Sequence, residues 1–421
     1  MASATATPSG FSIGTYRQLF IDGAWCDSSS GKRLKVINPA TEGEISEVAF
    51  GGRADCKRAV EAAHQAMGPW AKLTSWDRAK ILKKTADLMR DRADGLARTL
   101  TMEQGKPLAE AKAEVMHSAD TFEWFAEEGK RAYGQVIPNS APGKRHLTIK
   151  HPVGVVGAIG PWNFPITLQA RKIAPALAVG CTIVCKPASQ TPLSLINIFD
   201  CLIDAGMPPG VANLVMGSAS EIAAEFLENP LVRKISFTGS TEVAVETARA
   251  LKLGNGLDAG IEIGPMFEKK AMDNTLDLIK DASGKGAKIL TGGNRSDRFE
   301  KGYFFEPTIL RGLSSDANIL TQEPFAPVMP ILDFSKLDEV IAAANNTKYG
   351  LAAYVFTNDL TIAWKMAEGL EAGIIGVNDP VPATPQCPFG GMKESGMGRE
   401  LAHEGLEAYL ETKFISMKLR D

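Results

Sequence analysis

From Val153 to Phe237 the sequence repeats one pattern: a short apolar run, a turn, then a helix-length stretch. Val153–Ile159 reads as a strand with Gly160 as its turn. Leu168–Val179 reads as a helix closed by Gly180, and Thr182–Val184 as the next strand. Pro192–Ala205 reads as a helix with Gly206 just past its end, Val211–Met216 as a strand, Glu221–Glu228 as a helix and Ile235–Phe237 as a strand. Strands separated by helices return to their sheet side by side and with one hand. The expected fold class is therefore α/β, built on a parallel sheet, and 421 residues leave room for two or three domains.

Other stretches carry weaker patterns. Residues 75–130 read as helical. Ser75 is placed to cap a helix in which Leu82, Thr85 and Met89 share a face, and a second helix covers about 108–132, with Gly134 beginning its exit. The stretch 145–153 alternates and suggests a strand pair exposed on one side. Beyond Gly254 a second α/β pattern appears. Leu276–Ile279 and Leu337–Ala344 read as helical, and Ile289-Leu290, Ala353–Phe356 and Ile374–Val377 as strands. Leu410–Met417 would suit an added edge strand.

Composition excludes several functions. The chain is 44% hydrophobic and 23% charged with a net charge of -3, and no basic stripe points to nucleic acid. No apolar run reaches the length of a membrane span. The first fourteen residues are small and polar and lack the features of a secretory or transit signal, so a cytoplasmic location is expected. Cys181 and Cys185 flank Thr182-Ile183-Val184 and read as core thiols. Neither the six cysteines nor the five histidines have metal-binding spacing, and no metal is expected.

Five motifs then appear in order: Pro161-Trp162-Asn163-Phe164-Pro165, Cys185-Lys186-Pro187-Ala188-Ser189, Phe237-Thr238-Gly239-Ser240-Thr241-Glu242, Glu323-Pro324-Phe325-Ala326-Pro327-Val328 and Pro388-Phe389-Gly390-Gly391-Met392-Lys393-Glu394-Ser395-Gly396. On these the chain resembles the aldehyde dehydrogenase superfamily over about residues 16–420. The likeness is closest to succinate-semialdehyde and related acid-semialdehyde dehydrogenases. Arg171 and the run Phe122-Glu123-Trp124-Phe125-Ala126-Glu127-Glu128-Gly129 support that subgroup.

The resemblance implies an oxidoreductase that converts an aldehyde to the carboxylic acid with NAD(P)+. A cysteine thiolate attacks the aldehyde, hydride passes to the nicotinamide, and water activated by a glutamate hydrolyses the thioester. It assigns Asn163 as the oxyanion donor, a role worth roughly 2.7–4 kcal/mol in comparable sites. It assigns Trp162, Lys186, Ser189, Gly239, Ser240, Glu323 and Phe325 to the cofactor. Lys186 and Ser189 would meet the adenine-side ribose, Ser240 the pyrophosphate, and Glu323 the nicotinamide ribose with Phe325 beside it. Ser189 carries no charge to repel a 2′-phosphate, so NADP should be tolerated or preferred. Arg171 would line the aldehyde tunnel and bind a substrate carboxylate through its planar fork. The competing reading of Arg171 is a surface arginine beside Lys172.

The same resemblance implies domains: 1–135 and 153–246 as parts of the NAD(P)-binding domain, 136–152 as an oligomerisation hairpin, 247–407 as a truncated catalytic domain and 408–421 as the C-terminal oligomerisation strand. A homodimer or homotetramer follows from the edges of that element.

The motifs that should carry the nucleophile and the water-activating glutamate, Gly-Gln-x-Cys and Glu-Leu-Gly-Gly, do not occur. By comparison with the family's layout, roughly seventy residues are absent between about Glu246 and Leu251. Cys387, just before Pro388-Phe389, is the only thiol with a plausible place near substrate, and no paired base accompanies it. Two readings follow: a semialdehyde dehydrogenase whose internal segment is missing from this sequence, or a non-catalytic NAD(P)-binding pseudoenzyme that partners a full-length subunit.

Overall fold

The computed structural model describes residues 16–138, 141–142, 144–237, 253–259, 261 and 263–418. Gly239, Ser240 and the expected break at 246–251 lie outside the described residues.

A six-stranded sheet forms the centre of the larger core. The chain lays down Val155–Ile159 first, then moves outward through Thr182–Lys186 to Ala212–Leu214. It next returns to set Val232–Phe237 on the other side of the first strand. All four run parallel, and travel reverses between Val155–Ile159 and Val232–Phe237, as in one half of a dinucleotide-binding sheet. The sheet is not wholly parallel: Leu19–Ile21 joins Ala212–Leu214 antiparallel and pairs in turn with Ala24–Cys26. Among the described residues Val232–Phe237 is the opposite edge.

Among the described residues seven helices cover this sheet: α1 (Arg53–Lys72), α2 (Ser75–Asp91), α3 (Ala93–Gln104), α4 (Leu108–Glu128), α5 (Thr167–Val179), α6 (Pro192–Asp204) and α7 (Ala219–Glu228). Right-handed crossovers put α5 and α6 on one face, joined by α2, α3 and α4, while α1 and α7 pack together. Every residue of α5 is buried, including Gln169, Arg171 and Lys172. Gly157 is small for a packing reason, since a Cβ there would lie 2.7 Å from the Phe226 ring.

Two expected boundaries shift. The cap of α2 is Thr74, not Ser75, because Thr74 keeps an extended backbone and its hydroxyl accepts from Asp77 N. Ser75 is already helical. The helix expected to reach 132 ends at Glu128 and tightens into a 3-10 turn over Gly129–Arg131.

The C-terminal half holds a smaller core around Met272, Ile279, Ala282, Phe305, Leu310 and Val328. There α8 (Lys269–Gly284) accompanies Lys288–Thr291, Thr308–Arg311 and Val328–Ile331. A separate parallel pair, Ala352–Val355 and Ile374–Val377, is flanked by α9 (Leu337–Asn345) and α10 (Leu360–Gly369). A last short helix, α11 (Ala402–Glu407), leads into Leu410–Lys418. That strand pairs antiparallel with Lys144–Pro152 along its whole length, and Val136–Ile137 pairs with the other side. Among the described residues no helix is long and apolar enough to cross a membrane, and no cluster of side chains could hold a metal.

Candidate active site

The site grows from the turn after Val155–Ile159. Gly160 N donates to Lys186 O at 3.0 Å, and Gln169 Nε2 donates to the same carbonyl at 3.1 Å. A Cβ at Gly160 would stand 2.5 Å from Gln169 Nε2, so only glycine fits. The turn therefore places Pro161-Trp162-Asn163 beside Lys186, at the carboxyl end of the two central strands. This is where open parallel sheets bind ligands.

The Asn163 loop is fastened from behind. Lys106 Nζ donates to Asn163 O at 2.8 Å and to Glu114 Oε2 at 2.6 Å. Glu114 Oε1 accepts from Ile166 N and Thr167 N at 3.0 and 3.1 Å, closing the first turn of α5. Lys106 also sits 3.9 Å from the centre of the Phe164 ring. Asn163 Oδ1 accepts from Phe164 N at 3.1 Å, which leaves Nδ2 as the atom able to donate outward. That is the donor an oxyanion requires.

Trp162 and Phe325 come together: their rings meet edge to face at 5.4 Å. Half-buried Glu323 lies two residues before Phe325. Phe267, which sequence reasoning missed, stacks on the Trp162 ring at 3.5 Å. The backbone explains its position. Gly256 O accepts from Leu108 N at 2.9 Å, and Gly264 lies so close to Gly105 O that a Cβ would clash at 1.8 Å. The Gly264-Pro265 pair before an aromatic was the available signal.

Lys186 and Ser189 suit a nucleotide. Lys186 ends its strand 4% exposed, and among the described residues its ammonium has no ion-pair or hydrogen-bond partner. Burial pushes its pKa down, and an incoming ribose hydroxyl or phosphate would give the ammonium a partner. Ser189 is half-buried on the following turn. A surface depression lined by His64, Met67, Val153, Gly154 and Arg233 lies elsewhere and includes none of these residues.

Arg171 is not a surface residue. It is 5% exposed, and its Nε has no hydrogen-bond partner. Its guanidinium carbon lies 4.1 Å from the centre of the Phe389 ring. Phe389 is held in place by two backbone bonds to Glu400, both 2.7 Å, and Glu400 in turn takes Lys172 Nζ at 2.5 Å.

The thiols divide by burial. Cys56 and Cys201 are pushed up to about 12 and Cys181 to about 11, all by desolvation, and Cys185 is pushed higher still. These four stay protonated near neutral pH and make poor nucleophiles. Cys387 is exposed, two residues before Phe389, and no described side chain hydrogen-bonds its sulfur.

Sequence comparison matches the aldehyde dehydrogenase family at residues 25–250 and 241–415. The chain belongs to that family. It is therefore related to oxidoreductases acting on aldehydes. This family member is 40% identical to the succinate-semialdehyde dehydrogenase [NADP(+)] of Escherichia coli, over 474 aligned positions covering 96% of this chain and 98% of the relative. It is equally 40% identical to a glutarate-semialdehyde dehydrogenase of Pseudomonas aeruginosa, covering 95% and 97%. Its fold superposes on the crystal structure of an Escherichia coli NADP-dependent enzyme with a TM-score of 0.93, at 38% identity and 96% and 98% coverage.

Proposed function

We propose that this chain is an acid-semialdehyde dehydrogenase in its binding residues, and that the 421-residue form lacks the nucleophile and general base for turnover. The observation carrying the substrate class is Arg171, a buried guanidinium with no hydrogen-bonding acceptor among the described residues. A carboxylate on the far end of a short aldehyde would satisfy it. Succinate semialdehyde leads, with glutarate semialdehyde and 2-oxoglutarate semialdehyde behind it. The relatives named for succinate and glutarate semialdehydes support that substrate class.

NAD or NADP occupies the crevice at the strand ends in this reading. Lys186 and Ser189 meet the adenine-side ribose, Gly239 and Ser240 the pyrophosphate, and Trp162, Glu323 and Phe325 the nicotinamide side. The bound nucleotide supplies the hydride acceptor. Arg171 orients the substrate, and Asn163 Nδ2 would donate to the oxyanion once the missing segment supplied a nucleophile. Uncharged Ser189 admits a 2′-phosphate, and NADP is named for the Escherichia coli relative.

Residues 1–135 with 153–246 form the nucleotide domain, 247–407 the shortened catalytic domain, and 136–152 with 408–421 an oligomerisation element of a cytoplasmic dimer or tetramer. Two findings support an internal gap. The 474 aligned positions exceed the chain's own 421 residues, and the family match breaks into two segments that meet at 241–250.

The non-catalytic reading rests on the four buried, protonated thiols and on Cys387, whose sulfur no described side chain hydrogen-bonds. One pair of measurements separates the two readings. The intact mass of the native protein is either near 45.1 kDa or several kilodaltons higher. The higher mass, with NADP reduction on succinate semialdehyde, supports the full enzyme. A mass of 45.1 kDa, with NADP binding and no reduction, supports the pseudoenzyme. Failure of either form to bind NAD or NADP would end both readings.

A further inference from the structure

On the two helices that hold Arg171, other buried polar atoms also lack a hydrogen-bond partner: His117 Nε2 and Trp124 Nε1 on α4, and Gln169 Oε1 on α5. His117, on α4, buries its Nε2 without a hydrogen-bond partner, as Arg171 on α5 does with its Nε. The two helices are fixed in register close by. Ser118 Oγ meets Thr167 Oγ1 at 3.0 Å, and Glu114 holds the first amides of α5. Thr167 is one turn before Arg171 and Ser118 adjoins His117. Two unsatisfied buried nitrogens on neighbouring turns of a pinned helix pair are expensive unless a ligand completes them.

We propose that His117 is a second substrate-gripping residue, and that its imidazolium joins the Arg171 guanidinium in binding the carboxylate of the semialdehyde. This rests on the acid-semialdehyde reading and adds a residue and a pH dependence to it. Arg171, Asp120 and Glu114 are the charges that act on His117, and Glu400 and Glu114 act on Arg171. Asp120 is engaged by Arg90, Glu114 by Lys106 and Glu400 by Lys172, so none of these carboxylates fills the place of the ligand.

The sign of the effect follows. With no ligand, burial and then the Arg171 charge hold the imidazole below its ordinary value, so it is neutral near pH 7. An arriving carboxylate offsets Arg171 and stabilises the protonated ring. The complex takes up a proton, and affinity rises as pH falls. Asp120 and Glu114 act in the same direction as the ligand, but they are present in both states.

The test uses butyrate, a short monocarboxylate that stays ionised over the range studied, and the whole chain. NMR titration reads butyrate affinity at about pH 6 and about pH 8, and the histidine Cε1–H signals read protonation directly. His117→Gln assigns the His117 signal among five histidines. Wild type should bind at least threefold tighter at the lower pH, and butyrate should raise the His117 titration midpoint. His117→Gln should keep binding and lose the pH slope, while Arg171→Gln should lose at least tenfold in affinity. An unmoved His117 midpoint in wild type, or an unchanged slope in His117→Gln, would overturn the proposal while leaving the carboxylate reading of Arg171 intact. Absence of butyrate binding to wild type at both pH values would overturn the acid-semialdehyde reading and this inference with it.

Discussion

Glu114 gathers three donors at once: the Lys106 ammonium and the amides of Ile166 and Thr167. Lys106 in turn holds the Asn163 carbonyl, so one carboxylate fixes both the start of α5 and the loop carrying the oxyanion candidate. Replacing one member of a buried pair strands the other in a poor solvent, at roughly 3–5 kcal/mol. Glu114→Ala is expected to lower the melting temperature sharply, and Lys106→Met combined with it should recover part of the loss because the stranded charge goes too. Thermal melts of the three proteins check this; a wild-type melt for Glu114→Ala would remove the strut. Neither residue could be read from the sequence as part of the site. Lys106 and Asn163 are 57 positions apart, and only the fold makes them neighbours. Asn163, Trp162, Lys186 and Phe325 were legible because each sits inside a local motif whose residue types already express their chemistry. His117 sits in no motif, and only burial beside Arg171 marks it out.

At the scale of elements, the strands between Val155 and Phe237 were legible because each is a short apolar run set off by glycine or proline. The helices α5, α6 and α7 follow the same punctuation. Long α1 was not: its buried positions, Cys56, Ala59, Val60 and Ala63, have helical spacing, but alanines contrast weakly with their surroundings. Thr308–Arg311 and Val328–Ile331 escaped notice because they are short and carry an arginine and a proline. The C-terminal strand was legible only in type, since its partner lies over 250 residues earlier in the chain. That strand forms nearly the whole of one side of Lys144–Pro152, whose other neighbour is the two-residue Val136–Ile137. Ending the chain at Tyr409 should therefore free the Lys144–Pro152 amides while leaving the six-stranded sheet protected. Hydrogen exchange by mass spectrometry should show fast exchange confined to about 136–152. Unchanged protection there would mean that the ladder contributes little to holding the strand.

On the scale of the whole molecule, the two halves of the chain are unequally finished. Around the six-stranded sheet a large continuous cluster of apolar side chains is buried, although Trp76 and Leu227 on its helices stay exposed. In the C-terminal half, α9 buries none of its residues, and Phe334, Phe356, Leu360 and Trp364 are each more than 60% exposed. Among the described residues the two small sheets there stay separate and Val232–Phe237 has no strand on its outer side, where Ile235 is 36% exposed. An open parallel edge presents unpaired backbone groups, and contiguous apolar surface invites another chain. A folded family member with its full complement of strands would cover both. The 421-residue protein is therefore expected to bind a hydrophobic dye such as ANS in its native state and to form polydisperse assemblies as concentration rises. A version with the family's segment restored between 246 and 251 should do neither. Light scattering on both proteins at matched concentrations decides this. A monodisperse short chain with a cooperative melt and no dye binding would mean that these faces find partners within the native oligomer, which would favour the non-catalytic subunit over an incomplete enzyme.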